Sequence, residues 1–379
     1  MDLTFTAEDE AFRQEAREWL RENVPAQPLP SGDTREGFAA HLEWERRLYE
    51  ARWSVVSWPA AYGGRDATPW QWLIFEEEYY RAGAPQRVTQ NGIFLLAPAL
   101  FEFGTQEQKD RYLPAMARAE HLWCQGWSEP GAGSDLAAIS SRARRDEQAG
   151  GWLLTGQKTW TTRGAFCTHM FGLFRTDPDA PRHRGLTYFL VPLDAEGVEV
   201  RGFGRLDGDE GFADVFLNDV FVPDRDVLGE VGEGWRVAMA TTGSERGLTL
   251  RSPGRFLAAV QRLIELANAR RDALTPRLRE RLIRSWIAAE AYQLFTLRQV
   301  TDLLDGTAVP AESSLNKLHW SELDVYLTET AMQLLGPEAE VDGAWPRAFQ
   351  FALAGPIYAG TNEIQRNIVA ERLLGLPRT

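Results

Sequence analysis

The sequence predicts an α+β protein in three successive regions: an all-α region over residues 1–121, a small β-barrel or sandwich over 122–229, and a four-helix bundle over 230–379. Apolar residues recur at helical spacing up to about residue 120. From Trp123 the pattern shortens to strands separated by glycine turns, and long amphipathic segments return after Gly229. A chain of 379 residues is also too long for one simple core.

The elements follow in order. Thr6 caps a first helix whose opening acids, Glu8, Asp9 and Glu10, complement the helix dipole, and whose apolar face is Phe12, Ala16, Trp19 and Leu20. Pro25, Pro28 and Pro30 end it. A second helix is expected from about Thr34 to Glu50. A third starts at Thr68-Pro69, with proline at its first position. An apolar helix is read over Ile93 to Phe103. Thr105 to Gln108 form a capping box for a short helix expected to stop at Pro114. Strands are expected at Trp152–Thr155, Phe171–Phe174, Leu186–Val191 and Val215–Leu217, with Gly150, Gly151 and Gly156 as turns. The bundle is read as one long segment from about Trp235 to Ala269, then 276–305, 313–335, and a last helix capped by Thr361 or Asn362.

Composition excludes several functions. The net charge of -13 and pI near 5.1 supply no basic field for nucleic acid. No run of eighteen apolar residues exists for a membrane span, and the N-terminus lacks the pattern of a secretory signal. Two cysteines, Cys124 and Cys167, cannot build a disulfide framework or a four-thiolate metal site, which fits the cytoplasm. No metal is expected.

Two stretches carry chemistry. Ile357-Tyr358-Ala359-Gly360-Thr361-Asn362-Glu363 is a glycine turn feeding a helix N-terminus, where free N–H groups and the dipole converge. Gln125-Gly126-Trp127-Ser128-Glu129-Pro130-Gly131-Ala132-Gly133-Ser134-Asp135 combines glycines, which let backbone approach a ligand closely, with serine hydroxyls. This second stretch resembles the flavin-loop signature of the acyl-CoA dehydrogenase family. Gly104…Gln108-Lys109…Leu113-Pro114, Gly156-Gln157-Lys158-Thr159-Trp160-Thr161-Thr162 and the C-terminal stretch resemble three further motifs of that family, in the family's order across nearly the whole chain.

The resemblance implies FAD and an acyl-CoA substrate desaturated between Cα and Cβ to the trans-2-enoyl thioester, in acyl-CoA catabolism. A base takes the α-proton, the β-hydrogen leaves as hydride to the flavin, and electrons pass to an electron-transfer flavoprotein. It implies that Gln125, Trp127, Ser128, Gly133 and Ser134 contact FAD, with Trp160 flanking its ring and Thr162 near its reactive nitrogen. Gln333 and Gly336 fall in the segment for the adenosine half, and Thr361 and Glu363 complete the cofactor set. Ser134, Arg246 and Gly360 fall on the substrate. The implied assembly is a homotetramer or heterotetramer.

The chain departs from the family pattern where the base is commonest. Many members carry glutamate directly before the Gly-Thr of the C-terminal motif, and here that position is Ala359. Either this site is inactive or the base lies elsewhere. Members resembling isovaleryl-CoA dehydrogenase place it before an arginine on the first bundle helix, which here is Glu245 in Ser244-Glu245-Arg246-Gly247. The N–H of Ala359 survives the replacement and can still donate to a thioester oxygen. The usual Arg-x-x-Phe-Gly contact to a neighbouring FAD is replaced by Arg270-Arg271-Asp272-Ala273, and Pro337 replaces a glycine and its N–H. A half-site or non-catalytic subunit of a heteromer, or a flavin oxidase-type relative, are the alternatives.

Overall fold

The helical spacing at the N-terminus forms α1, Ala7–Asn23, closed by a capping box in which the Thr6 hydroxyl accepts from the Asp9 N–H and Asp9 accepts from Thr6. A computed structural model describes residues 5–246, 252–307 and 310–377, with the side chains of 243–246 outside that description. The remaining helices are α2 (Arg35–Glu50), α3 (Pro69–Arg81), α4 (Ala97–Phe103), α5 (Gln106–Ala117), α6 (Gly234–Arg246), α7 (Pro253–Ala269), α8 (Pro276–Leu304), α9 (Ser313–Leu335), α10 (Ala344–Ala352) and α11 (Asn362–Ile368). The strands are β1 (Trp123–Gly126), β2 (Arg142–Asp146), β3 (Gly151–Thr162), β4 (His169–Arg175), β5 (Leu186–Pro192), β6 (Val198–Phe203), β7 (Phe212–Pro223) and β8 (Val227–Leu228). No helix among the described residues is long and apolar enough to cross a membrane.

Two compact units emerge. The first joins residues 1–26, 67–84 and 246–379, so α1 and α3 pack with the C-terminal helices. Its core is Phe256, Leu263, Trp320, Leu327 and Leu334, all buried. Each such side chain contributes about 1.5–3 kcal/mol on burial. Arg13 and Arg17 of α1 tie to the buried Glu78 of α3 at 3.2 and 2.9 Å. Gly254 is required where α7 meets α3, because a Cβ there would sit 2.9 Å from the Glu77 Cα.

The second unit joins residues 27–66 and 85–245 around an eight-stranded mixed sheet ordered β6-β7-β3-β2-β4-β5-β8, with β1 parallel to β4. Leu154, Phe174, Phe189, Val215 and Val220 are fully buried within it. Arg163 ends the β3 run in a left-handed conformation (φ 55°) and donates to Asp33 at 2.7 Å, and Arg205 reaches the other oxygen of Asp33 at 2.6 Å.

Several details depart from the expectations. The strand at Trp152–Thr155 does not stop at Gly156 but runs to Thr162, because pairing with β7 continues past two register shifts. The helix expected to end at Pro114 continues to Ala117, since Tyr112, Leu113 and Met116 are buried along it and packing outweighs one lost hydrogen bond. The helix read from Ile93 begins instead as a π-turn over Asn91–Leu96, and Pro98, which lacks the N–H for regular pairing, follows it. The long segment 235–269 divides into α6 and α7, with Ser252 capping the latter and 247–251 outside the described residues. The helix α10 is not expected from the sequence pattern.

A partly buried aromatic cluster at one end of the sheet is expected to make stability pH-dependent. The His121 and His169 rings meet at a tilt with centroids 4.3 Å apart, and Trp123 lies 4.7 Å from His169. The Tyr112 hydroxyl donates to Asp226 at 2.6 Å. Burial, with the neighbouring His121 and Arg111 charges and against the pull of Asp194, lowers His169 to about 4. The folded value lies below the unfolded one, so the unfolded chain takes up the proton first on acidification. The stabilisation is full above about pH 6.5 and is lost as pH falls toward 4, by about 3 kcal/mol. Thermal unfolding of the wild type should therefore shift more between those pH values than that of His169→Phe. Equal shifts would remove His169 as the cause.

Candidate active site

In the second unit β1 leads into the glycine-rich stretch 125–135. Gly126 lies opposite Gly172 in register, and a Cβ on it would fall 2.1 Å from the Met170 sulfur, so glycine alone allows this packing. Past β1, Trp127 is buried, and its Nε1 has no hydrogen-bond partner among the described residues. The segment then folds back as Glu129 and Ala132 exchange hydrogen bonds of 2.9 and 3.0 Å. Gly131 and Gly133 face open space on the side a Cβ would fill, and Ser134 is exposed beside them. Gln125 and Ser128 are half-buried.

The stretch 156–162 lies against that glycine-rich stretch, since the Thr159 N–H donates to the Ser128 carbonyl at 2.9 Å. Between Lys158 and Thr161 the β3–β7 register shifts, and Trp160 within this bulge is left-handed at φ 58°. A bulge re-aims the side chain it carries. The indole is accordingly 60% exposed, yet it is held edge-on by Phe203 and Phe212 at 5.3 and 5.5 Å. Thr162 is half-buried, one residue before Arg163. A rigid exposed indole, an open glycine turn and an unpartnered buried indole N–H fit a planar, hydrogen-bonding cofactor such as an isoalloxazine.

The C-terminal turn is built separately in the first unit. Ala359 is left-handed at φ 56° and Gly360 at φ 77°. Thr361 caps α11, accepting from the Ile364 N–H at 3.3 Å. The buried Gln365 donates to the carbonyls of Ala359 and Gly360 at 3.0 and 3.2 Å. Lys317, fully buried, donates to the Asn362 side chain at 2.7 Å, and Ser321 donates to the same oxygen at 3.0 Å. The turn's carbonyls are thus engaged, whereas the Ala359 N–H has no acceptor among the described residues. Glu363 is exposed on the first turn of α11. An alanine in this conformation carries about 1 kcal/mol of strain. Ala359→Gly should raise unfolding stability by about 0.5 kcal/mol once glycine's entropy is subtracted, and Ala359→Val should lower it. Denaturant titration checks the order, and a loss in Ala359→Gly would contradict the left-handed turn.

The other sequence-predicted residues are placed as follows. Gln333 is exposed near the end of α9, and Gly336 follows it at φ 58°. Arg270 is engaged by Glu338 at 2.7 Å. Glu245 and Arg246 lie on the last described turn of α6, and their side chains lie outside the described residues. A cavity of about 500 Å³ in the first unit, lined by residues including Arg13, Leu73, Glu77, Pro253 and Leu297, contains none of these residues.

Between these two stretches Glu129 pairs with Lys158 at 2.7 Å, buried on both sides, a contact that the sequence motifs do not signal. Burial pushes the Glu129 carboxyl up, but the Lys158 ammonium more than reverses this and holds it at about 2. Burial lowers Lys158 to about 8 against the pull of Glu129, so both are charged at neutral pH.

Three family models match: acyl-CoA dehydrogenase N-terminal domain over residues 6–120, middle domain over 124–220 and C-terminal domain over 232–374. The acyl-CoA dehydrogenase IpdE1 of Mycobacterium tuberculosis is 40% identical over 384 residues, covering 97% of this chain and 98% of the relative. Among solved structures, the Tcur3481-Tcur3483 steroid ACAD superposes with a TM-score of 0.89 at 26% identity, with both chains fully covered. The ChsE4-ChsE5 complex from Mycobacterium tuberculosis superposes with a TM-score of 0.85 at 27% identity, again over both full chains.

Proposed function

The chain belongs to the acyl-CoA dehydrogenase family, and from that premise we propose that it converts a ring-bearing or branched acyl-CoA to the trans-2-enoyl-CoA with Glu245 as the base. Family membership makes it an oxidoreductase with FAD as its cofactor. The observation that carries the finer reading is the turn at Ala359, whose N–H is unengaged among the described residues while Gln365 fixes the carbonyls on either side of Gly360's nitrogen.

The α-proton of a thioester is too weakly acidic for a carboxylate unless negative charge on the carbonyl oxygen is stabilised. The Ala359 N–H supplies one donor aimed at that oxygen, and donors fixed in advance usually contribute more to such catalysis than any other single effect. Glu245 takes the proton as the general base. Bound FAD supplies the acceptor for the β-hydrogen, which leaves as hydride. The residues that would hold it are Gln125, Trp127, Ser128, Gly133, Ser134, Trp160, Thr162, Gln333, Gly336, Thr361 and Glu363, while Ser134, Arg246 and Gly360 meet the substrate. Electrons pass on to an electron-transfer flavoprotein, in the cytoplasm. On this reading the divisions at 121/122 and 229/230 separate a helical substrate wall, a flavin-binding β region and a bundle that carries the base.

Ring-bearing substrate is supported by Gly243 and Gly247 flanking the Glu245 region in sequence and by the steroid ACAD among the structural neighbours. The same neighbours favour a second reading, a heteromer with a different partner chain, since two of them are named as two-component assemblies. Purifying the chain alone and screening acyl-CoA thioesters for anaerobic flavin bleaching tests both. Bleaching confined to straight-chain thioesters would remove the substrate class. A colourless product that gains flavin only on addition of a partner chain would select the heteromer.

A further inference from the structure

Beneath the flavin segments, one buried carboxylate gathers three separate stretches of chain. The Glu129 Oε2 accepts from the Ser140 N–H at 2.6 Å and the Ser140 hydroxyl at 2.8 Å. Its Oε1 accepts from the Ser141 N–H at 2.9 Å and from Lys158 Nζ at 2.7 Å. Lys158 is fully buried, donates also to the Leu173 carbonyl at 2.8 Å, and lies 4.7 Å over the Phe174 ring. The same three stretches meet again nearby: Gly156 permits contact with Ser141, since a Cβ there would fall 2.1 Å from the Ser141 hydroxyl, and Thr159 donates to Ser128.

A buried ion pair is seldom a net source of stability, because desolvating both charges offsets much of their attraction. A hydrophobic pair would fill the same space more simply. What the pair provides is direction: four donors with fixed geometry converge on one carboxylate, and that carboxylate belongs to the first residue of the Glu-Pro-Gly-Ala turn. The turn's open glycines, Gly131 and Gly133, follow within four residues.

We propose that Glu129 and Lys158 form a positioning pair that holds the turn 130–134 in its cofactor-binding conformation before FAD arrives, an inference that rests on the reading of that turn as an FAD contact. Neither residue needs to touch the flavin. Their effect is transmitted through the backbone of the turn and through Thr159 to the bulge that carries Trp160.

The test compares three variants with wild type, in whichever assembly the protein purifies. FAD affinity is measured by fluorescence titration of the apoprotein, amide hydrogen exchange is followed over 128–141, and the thermal midpoint reports folding. Glu129→Gln/Lys158→Met removes both charges together at similar volume and leaves no lone buried ion. It is expected to keep a thermal midpoint near wild type, to exchange faster over 130–141 in the apoprotein, and to bind FAD about tenfold more weakly, an amount well resolved by titration. Ser140→Ala removes one of the four bonds without disturbing a charge and should weaken FAD about threefold. Gly133→Val places a side chain in the open space of the turn and should abolish FAD binding if the turn contacts the cofactor. Wild-type affinity and exchange in the double variant, with binding lost in Gly133→Val, would overturn the positioning role alone. Wild-type affinity in Gly133→Val as well would sink the underlying assignment of the turn. If the double variant does not fold, Ser140→Ala decides, and unchanged affinity there overturns the proposal.

Discussion

Glu245→Gln is expected to slow anaerobic reduction of the flavin by substrate about a thousandfold while FAD stays bound, because general-base contributions of this kind run from about 10² to 10⁴. Gln keeps the shape and the hydrogen-bonding reach of Glu but cannot take a proton at neutral pH. Binding of substrate should therefore survive, and the loss should fall on the reductive step rather than on KM. The pH profile adds an independent readout. The wild-type reductive rate should rise with pH through the pKa of the base, since only the carboxylate accepts a proton, and the residual rate of the variant should lose that dependence. Reduction at the wild-type rate in the variant would return Glu245 to an ordinary helix-surface residue. The backbone of α6 carries Glu245 on its last described turn, where the sequence was read as one continuous helix to Ala269.

What could be read from the sequence depended on how local the determining forces were. The caps at Thr6 and Thr105 were legible because each is settled by a hydroxyl and an N–H three residues away. The glycine turn after Glu129 was legible for a similar reason. The bulge at Trp160 was not, since its register shift exists only in the pairing with β7, some fifty residues on. A strict alternation read along β3 would have placed the indole without showing that it is turned outward. The Glu129–Lys158 pair joins positions 29 residues apart, and nothing in either segment alone signals it. Its one clue was a lysine in a strand otherwise rich in buried positions, where an unpaired ammonium would be costly. The left-handed backbone at Ala359 was likewise invisible, because alanine gives no hint of positive φ, although Gly360 beside it does.

Placing a carboxylate at position 359 should recover a part of what Glu245→Gln removes. The double variant Glu245→Gln/Ala359→Glu is expected to reduce its flavin at least about tenfold faster than Glu245→Gln alone. The backbone there is already shaped by Gln365, which holds the carbonyls of residues 359 and 360, and by the buried Lys317–Asn362 contact one residue beyond the cap. Neither support depends on the side chain at 359. The N–H proposed to donate toward the thioester oxygen is unchanged by the substitution, so on that proposal the donor and the base would come from one residue, the arrangement implied for the family members that carry glutamate there. Left-handed backbone tolerates glutamate about as poorly as alanine, and the added strain is on the order of a few tenths of a kcal/mol, too little to unfold the turn. Recovery should be incomplete, because a carboxylate on the half-exposed turn at 359 stays partly solvated and is the weaker base for it. The single variant Ala359→Glu is the necessary control. With Glu245 intact it introduces a second carboxylate, and if both face the same α-carbon their mutual repulsion should raise the pH at which the reductive rate rises. A double variant that binds FAD and substrate yet is no faster than Glu245→Gln, beside an Ala359→Glu variant with an unshifted pH profile, would show that this turn does not face the reacting carbon, and the role given to the Ala359 N–H would fall with it.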